Sequence, residues 1–324
     1  MEIVVADIGG THARFAIAQL DPGTRPRIGT MHRYRTREHS GLASAWTAFA
    51  NEVGEKLPNK AAIAVAAPIE GDELRFLNSD WRIPRFSIAE ELGLEQLTLL
   101  NDFGAVAYTV SELQPTELAS ICGPDRLPEN GVISVIGPGT GLGVAILDRR
   151  DGTVRVIETE AAHIGFAPLD SEEQALATSI VARYGRASVE RIVSGPGLID
   201  IHRHLGGTGD WDANRAGELW SAAIDGSDPI AGHALEILVR SLGAAAGDLS
   251  LAHGSMGVVI SGGLANRIIE FLRGSSFAER FIAKGRYRGR MKRVPVMLAT
   301  YPEPGLLGAA IAFQHDQLAA EKSA

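Results

Sequence analysis

Apolar residues in this chain gather in short runs that stop at glycines or at an amide–acid pair, and those runs predict the architecture. Residues 3 to 6 read as a strand, followed by "DIGGTHAR" and a second apolar stretch at 15 to 18. Both flanks are too short for helices, so Gly9-Gly10 reads as a hairpin turn. A third strand is expected near 30 to 34 and a helix from about Ser44 to Glu55. Residues 61 to 68, "AAIAVAAP", are small and apolar throughout, which suits a strand buried on both faces. "SIAE", residues 87 to 90, has capping-box spacing and predicts a short helix. The run "LTLLNDFGAVA" ends a core strand at Asn101 and Asp102 and begins a helix at once.

The second half restarts the theme. "VISVIGPGTGLGVAIL", residues 132 to 147, is strand, glycine turn, strand, close enough to the first hairpin to suggest an internal duplication. A long helix is expected from about Pro229 to His253, then a strand ending in two glycines at "GVVISGG", residues 257 to 263. "VPVMLATYPEPGLLGAAIAF" supplies a last strand and a C-terminal helix. Alternating strands and helices predict an α/β fold. A length of 324 residues suggests about two domains, with boundaries near residues 112 and 302.

Composition narrows the function. A net charge of −8 argues against a nucleic-acid surface, which needs a basic face to neutralise phosphates. The apolar start is cut by Asp7 and lacks a basic lead, so neither a signal peptide nor a membrane span is expected. The single cysteine, Cys122, excludes an internal disulfide and suits a reducing cytoplasm. An anionic ligand would therefore be held by backbone amides and helix ends.

Three glycine-rich turns, at 9 to 11, 137 to 143 and 262 to 263, each close a strand. Glycine permits positive φ and close ligand approach, and successive amides can form an anion-binding nest. The candidate phosphate cradle is Gly9, Gly10 and Thr11, with Gly139, Thr140 and Gly141, and with Gly262 and Gly263. Neither the Walker A loop nor the dinucleotide fingerprint is present, since no G-K-[ST] follows and "GPGTGLG" runs into a strand. Asp7 beside the first turn is placed to hold magnesium, through water. Arg14 fits either a phosphate contact or a surface ion pair. Capping explains one residue of Asn101-Asp102, and the other needs a partner.

"DIGGTHAR", "LLNDFGAVA", "GPGTGLGVA", "ETEAAHIGFAPLD", "SVERIVSGPGL" and "YPEPGLLGAA" together resemble the bacterial glucokinases of the hexokinase, actin and Hsp70 superfamily. The likeness runs in the family's order from residue 3 to about residue 313. It implies two α/β domains on duplicated ribonuclease-H-like sheets, residues 1–112 plus 303–324 and residues 113–302, with the active site in the cleft between them. It also implies phosphorylation of the 6-hydroxyl of glucose from MgATP by a cytoplasmic homodimer. The single cysteine cannot supply the zinc motif of the other common bacterial sugar-kinase group.

On this resemblance Asn101, Asp102, Glu160, His163 and Glu190 surround the sugar, with Asn78 in "LNSDW" as a further contact. Carboxylates accept hydroxyl hydrogens, while Asn and His both donate and accept. Asp102 takes the proton of the 6-hydroxyl and Asn101 holds the neighbouring hydroxyl. Glu190 sits in the first turn of a short helix, where a carboxylate is ordinary. Glu160-x-x-His163 lacks a third ligand for zinc, and His202-x-His204 is expected to face solvent. Where the family usually has two glycines and an Asp, this chain has Ala161, Ala162 and Gly165. If either glycine needs positive φ, alanine there strains the turn carrying Glu160 and His163. The alternatives are a kinase of mannose, fructose or an amino sugar, and a non-catalytic sugar or nucleotide sensor.

Overall fold

Strand β1 (Glu2–Ile8) is apolar along nearly its whole length because both of its faces are covered. Val4, Ala6 and Ile8 point into a core with Phe15, Trp46 and Phe49, and Ile3 and Val5 into a second core with Leu306, Ala310 and Phe313. These relations come from a computed structural model that describes residues 1–54, 56–76, 81–212, 215–274 and 276–323. The chain divides into two compact units, Met1–Glu112 with Tyr301–Ala324, and Leu113–Thr300.

In the first unit β1 pairs antiparallel with β2 (His12–Gln19), which pairs in turn with β3 (Arg27–Ile28) and β4 (His32–Arg35). On its other side β1 runs parallel to β5 (Lys60–Val65), and β5 runs parallel to β8 (Gln96–Asn101). A separate hairpin joins β6 (Glu73–Arg75) to β7 (Arg82–Pro84). Helix Leu42–Val53 covers one face of the sheet with Leu42, Ala45, Trp46 and Phe49. The C-terminal helix Pro304–Ser323 covers the other, against the alanines of β5. Small side chains there let helices approach closely: a Cβ on Gly308 would collide with the carbonyl of Ala105.

The second unit repeats the order. Strand β10 (Gly131–Pro138) pairs antiparallel with β11 (Leu142–Arg150), which pairs with β12 (Thr153–Thr159). Parallel strands β13 (Gly257–Ile260) and β14 (Val296–Ala299) follow on the far side of β10. Strand β9 (Leu118–Cys122) then closes the edge antiparallel to β14. Helix Pro229–His253 has the expected bounds, set by Asp228, whose carboxylate caps Ile230 and Ala231, and by Gly254 in the left-handed region. Among the described residues, no helix is long and apolar enough to cross a membrane.

Two local expectations fail. Ser87 makes no capping bond, because a 3₁₀ turn (Arg85–Ser87) already runs into helix Ile88–Glu91 and gives Ser87 a helical backbone; its hydroxyl donates to the carbonyl of Pro84 instead. His202 is not solvent-facing. Its ring is 1 % exposed, pairs with Asp228 through Nε2 at 3.3 Å and occupies the space a Cβ on Gly207 would need.

Candidate functional site

Parallel strands end on one side of a sheet, so the tips of β1, β5 and β8 line up, with Ile8 opposite Val65 and Val65 opposite Asn101. In open α/β sheets ligands bind outside such carboxyl ends. The first unit thereby brings the turn at Gly9, Gly10 and Thr11 to the same edge as Asn101 and Asp102. The Gly9 amide bonds the carbonyl of His12, the Gly10 carbonyl accepts from the Thr36 hydroxyl at 2.6 Å, and the Thr11 side chain is exposed.

Asn101 is the helix cap. Its Oδ1 accepts from the amides of Phe103 at 2.8 Å and Gly104 at 3.3 Å, while Nδ2 donates to the carbonyl of Ala67 at 3.4 Å. Asp102 is the first residue of helix Asp102–Ser111, and its Oδ1 also receives the Phe103 amide at 2.8 Å. At this position the helix dipole favours a carboxylate. Asn101 thus has two structural tasks that compete with a ligand for its polar atoms.

Asp7 and Arg14 form an ion pair, Oδ2 to Nη1 at 3.0 Å, and Arg14 also lies 3.3 Å from Glu303. The sequence left Arg14 open between phosphate and ion pair, and the structure gives it the pair. Glu303, nearly 290 residues further along the chain, carried no local signal. Burial pushes the Asp7 carboxyl above the usual range, with Arg14 pulling it down and Glu303 adding to the rise.

In the second unit the glycine turns after β10 and β13 adjoin, as Ile136 is opposite Ile260 and the Ser261 amide bonds the Ile136 carbonyl. A Cβ built on Gly139 or Gly263 would meet nothing within 4 Å, so the space beside both is open. Thr140 is exposed. Of the turn glycines, only Gly262 has positive φ, 107°. The expected left-handed nest is therefore confined to one residue, and the other glycines matter for what a side chain would fill.

Gly141 shows this best. An added Cβ would stand 2.5 Å from Oε2 of Glu190, which accepts the Leu142 amide at 3.0 Å. The residue that holds Glu190 in place is thus a main-chain donor in the turn itself. Oε1 of Glu190 lies 3.9 Å from Nδ1 of His163, and His163 Nε2 lies 3.6 Å from Oε2 of Glu160. These gaps exceed hydrogen-bonding range, which leaves lone pairs and N–H groups for a ligand. Glu160, His163 and Glu190 are thus brought close to one another, and Asn78 lies outside the described residues.

The alanine question also resolves. Ala161, Ala162 and His163 form a 3₁₀ turn with no positive φ, and Ala162 is 2 % exposed within the unit's core. Alanine needs no unusual backbone there. Gly165 bridges Ser188, and a Cβ on it would meet nothing within 4 Å. Among the described residues, no group of three or more His, Cys, Asp or Glu side chains is arranged to hold a metal.

Known proteins share this sequence pattern and fold. The family model described as glucokinase matches residues 4–316. A glucokinase of Zymomonas mobilis is 46% identical over 97% of this chain and 98% of its own length. One from a Caulobacter species is 37% identical over 98% and 96%. The crystal structure of a glucokinase from an Antarctic psychrotroph superposes with a TM-score of 0.83 at 30% identity, covering 97% of this chain and 99% of that one. Sequence and fold agree across essentially the full length, and the chain belongs to the glucokinase family.

Proposed function

We propose that this protein transfers the γ-phosphoryl group of MgATP to the 6-hydroxyl of glucose, with Asp102 as general base. Asp102 accepts the hydroxyl proton as the oxygen attacks γ-phosphorus; the bond to the β-bridging oxygen breaks, and ADP leaves with the electron pair. The observation that carries this reading is the division of labour at the tip of β8. Asn101 caps the helix through the Phe103 and Gly104 amides, while Asp102 beside it at the strand tip engages the Phe103 amide through Oδ1, a role that leaves a carboxylate at the sheet edge where parallel strands end. Glu160, His163 and Glu190 accept and donate to the sugar hydroxyls, and Asn101 offers Nδ2 to one of them. A site built to bond a hydroxyl rejects analogues lacking it by about 10⁴-fold.

The open space beside Gly139 and Gly263 suits a polyphosphate approaching the turns that carry Thr140 and Gly262. The Gly9 and Gly139 amides already bond the His12 and Gly141 carbonyls, so these two glycines would give the ligand room rather than a donor, and the Gly10 and Thr11 turn of the first unit is assigned the same phosphate role from the family motif. Gly141 serves the sugar side by making room for Glu190. Asp7 fits magnesium as a single carboxylate acting through water: Arg14 bonds only Oδ2, and such ions are commonly held by one or two carboxylates plus phosphates. Bound there, magnesium offsets charge on the β- and γ-phosphates. Family membership also supports a homodimer, and a single, half-buried Cys122 suits a reducing cytoplasm.

The test is Asp102→Asn in a coupled assay beside the parent. Turnover should fall about 10²- to 10⁴-fold with glucose binding kept. A fully active Asp102→Ala enzyme would end the proposal, and sizing by light scattering decides the dimer.

A further inference from the structure

Beside His163, on the second unit alone, lies a depression of about 250 Å³, partly open to solvent and lined by His163, Tyr184, Arg186, Ser188 and Arg191. That is smaller than the roughly 300–1,000 Å³ of drug-sized ligand sites and leaves room for a small ion or a compact monoester. Its charge is unusual in a chain of net −8. Glu160 and Glu190 stand 3.6 and 3.9 Å from His163 at one edge of it; Asp200, beside Tyr184, is 7 % exposed and already receives Arg183 and Arg203 at 2.9 Å and the Tyr184 hydroxyl at 2.7 Å. Among the described residues, Arg186 and Arg191 form no ion pair with any carboxylate. Arg186 donates to the His163 carbonyl at 3.0 Å, and the Arg191 guanidinium stacks 4.0 Å above the Tyr184 ring. Stacking fixes the guanidinium plane and leaves its N–H fork for an external acceptor. Ser188 brings a buried hydroxyl, which accepts the Arg191 amide and can donate its own hydrogen outward.

We propose that this pocket binds a phosphate group, as inorganic phosphate or a small phosphate monoester, and that its occupancy adjusts the sugar-binding turn. Two guanidinium forks and a hydroxyl match the several oxygens of a phosphate, and charge-assisted bonds of this kind are the strong ones. The coupling has a short route. Residues 164–166 are stitched to 187–189 by Phe166 amide to Ala187 carbonyl and Val189 amide to Ile164 carbonyl, each 3.0 Å, and by the Gly165–Ser188 bridge. His163 precedes that stitch and Glu190 follows it, so drawing Arg186 and Arg191 onto an anion shifts both. This coupling rests on the glucokinase reading; the site itself does not.

The experiment is calorimetric titration of inorganic phosphate, glucose 6-phosphate and acetate into the full chain at constant ionic strength, with the parent, Arg191→Ala and Arg191→Lys. Phosphate should bind the parent, weaken about tenfold or more in Arg191→Ala and fall between in Arg191→Lys, which keeps charge but not the fork. A tighter monoester names a sugar phosphate as the ligand, and equal affinities name the free ion. Parallel kinetics should show the glucose KM moving with phosphate in the parent and not in Arg191→Ala. No heat with either phosphate, an affinity unchanged in Arg191→Ala, or acetate binding as well as phosphate overturns the site. Binding without any change in KM leaves the site standing and overturns its coupling. A chain that binds phosphate this way yet phosphorylates no hexose sinks the kinase reading and not this pocket.

Discussion

Gly141→Ala isolates a single contact. Gly141 does not have positive φ, so alanine costs nothing in backbone conformation, and its effect is the steric demand of one methyl group. That methyl would start 2.5 Å from Glu190 Oε2, and ordinary contact begins at 3.4 Å, so the carboxylate must retreat by about 0.9 Å. Its bond to the Leu142 amide is 3.0 Å long, and such a retreat takes it out of hydrogen-bonding range. A hydrogen bond to a charged group contributes about 1.5–3 kcal/mol. The sugar must now supply that ordering of Glu190, so glucose affinity should fall roughly 10- to 100-fold at 1.4 kcal/mol per decade. The assay is glucose KM in a coupled reaction, with direct titration of glucose as the check. Gly139→Ala is the control, since its methyl meets nothing within 4 Å and should leave the glucose KM unchanged while weakening nucleotide binding. A Gly141→Ala enzyme with the parent's glucose KM, or a crystal structure of it with Glu190 still on Leu142, would refute the reasoning.

Three further outcomes are expected. Asp7→Asn should cost MgATP-dependent turnover yet raise Tm near pH 8, because burial raises the folded carboxyl's pKa. The stability Asp7 provides is present at acid pH and lost as pH rises through its raised value, so the variant's advantage in a pH series of melts should shrink toward acid. Gly308→Ala should lower stability by about 1–3 kcal/mol or more by driving the C-terminal helix off Ala105, read as a fall in denaturation midpoint at unchanged m-value. His253, whose pKa burial lowers, contributes stability that is present above pH 6.5 and lost as pH falls through its depressed value. Acid unfolding should therefore shift to lower pH in His253→Gln, which cannot charge; an unchanged acid limb would discount His253.

What the sequence determined by itself was short in range, although the capping bond expected at Ser87 failed because a 3₁₀ turn precedes its helix. Apolar runs broken by glycine predict the two hairpins and their repeat. The long helix is bounded at Pro229 and His253, and a capping residue is placed at Asn101-Asp102, though the structure decides which of the two caps. These signals are local because strand period, turn chemistry and capping each involve a few neighbouring residues. The resemblance carried Glu160, His163 and Glu190 together, but not the reason they can meet. That Gly141 is bare to admit Glu190, that Arg14 joins Asp7 to Glu303, and that His202 is interior were decided by tertiary structure alone. Each depends on which strand tips adjoin and which loop returns across them, and no window of neighbouring residues contains that. Even the tolerance of Ala161 and Ala162 is of this kind: the turn's handedness and the core beneath it, rather than the residues' own preferences, make alanine fit.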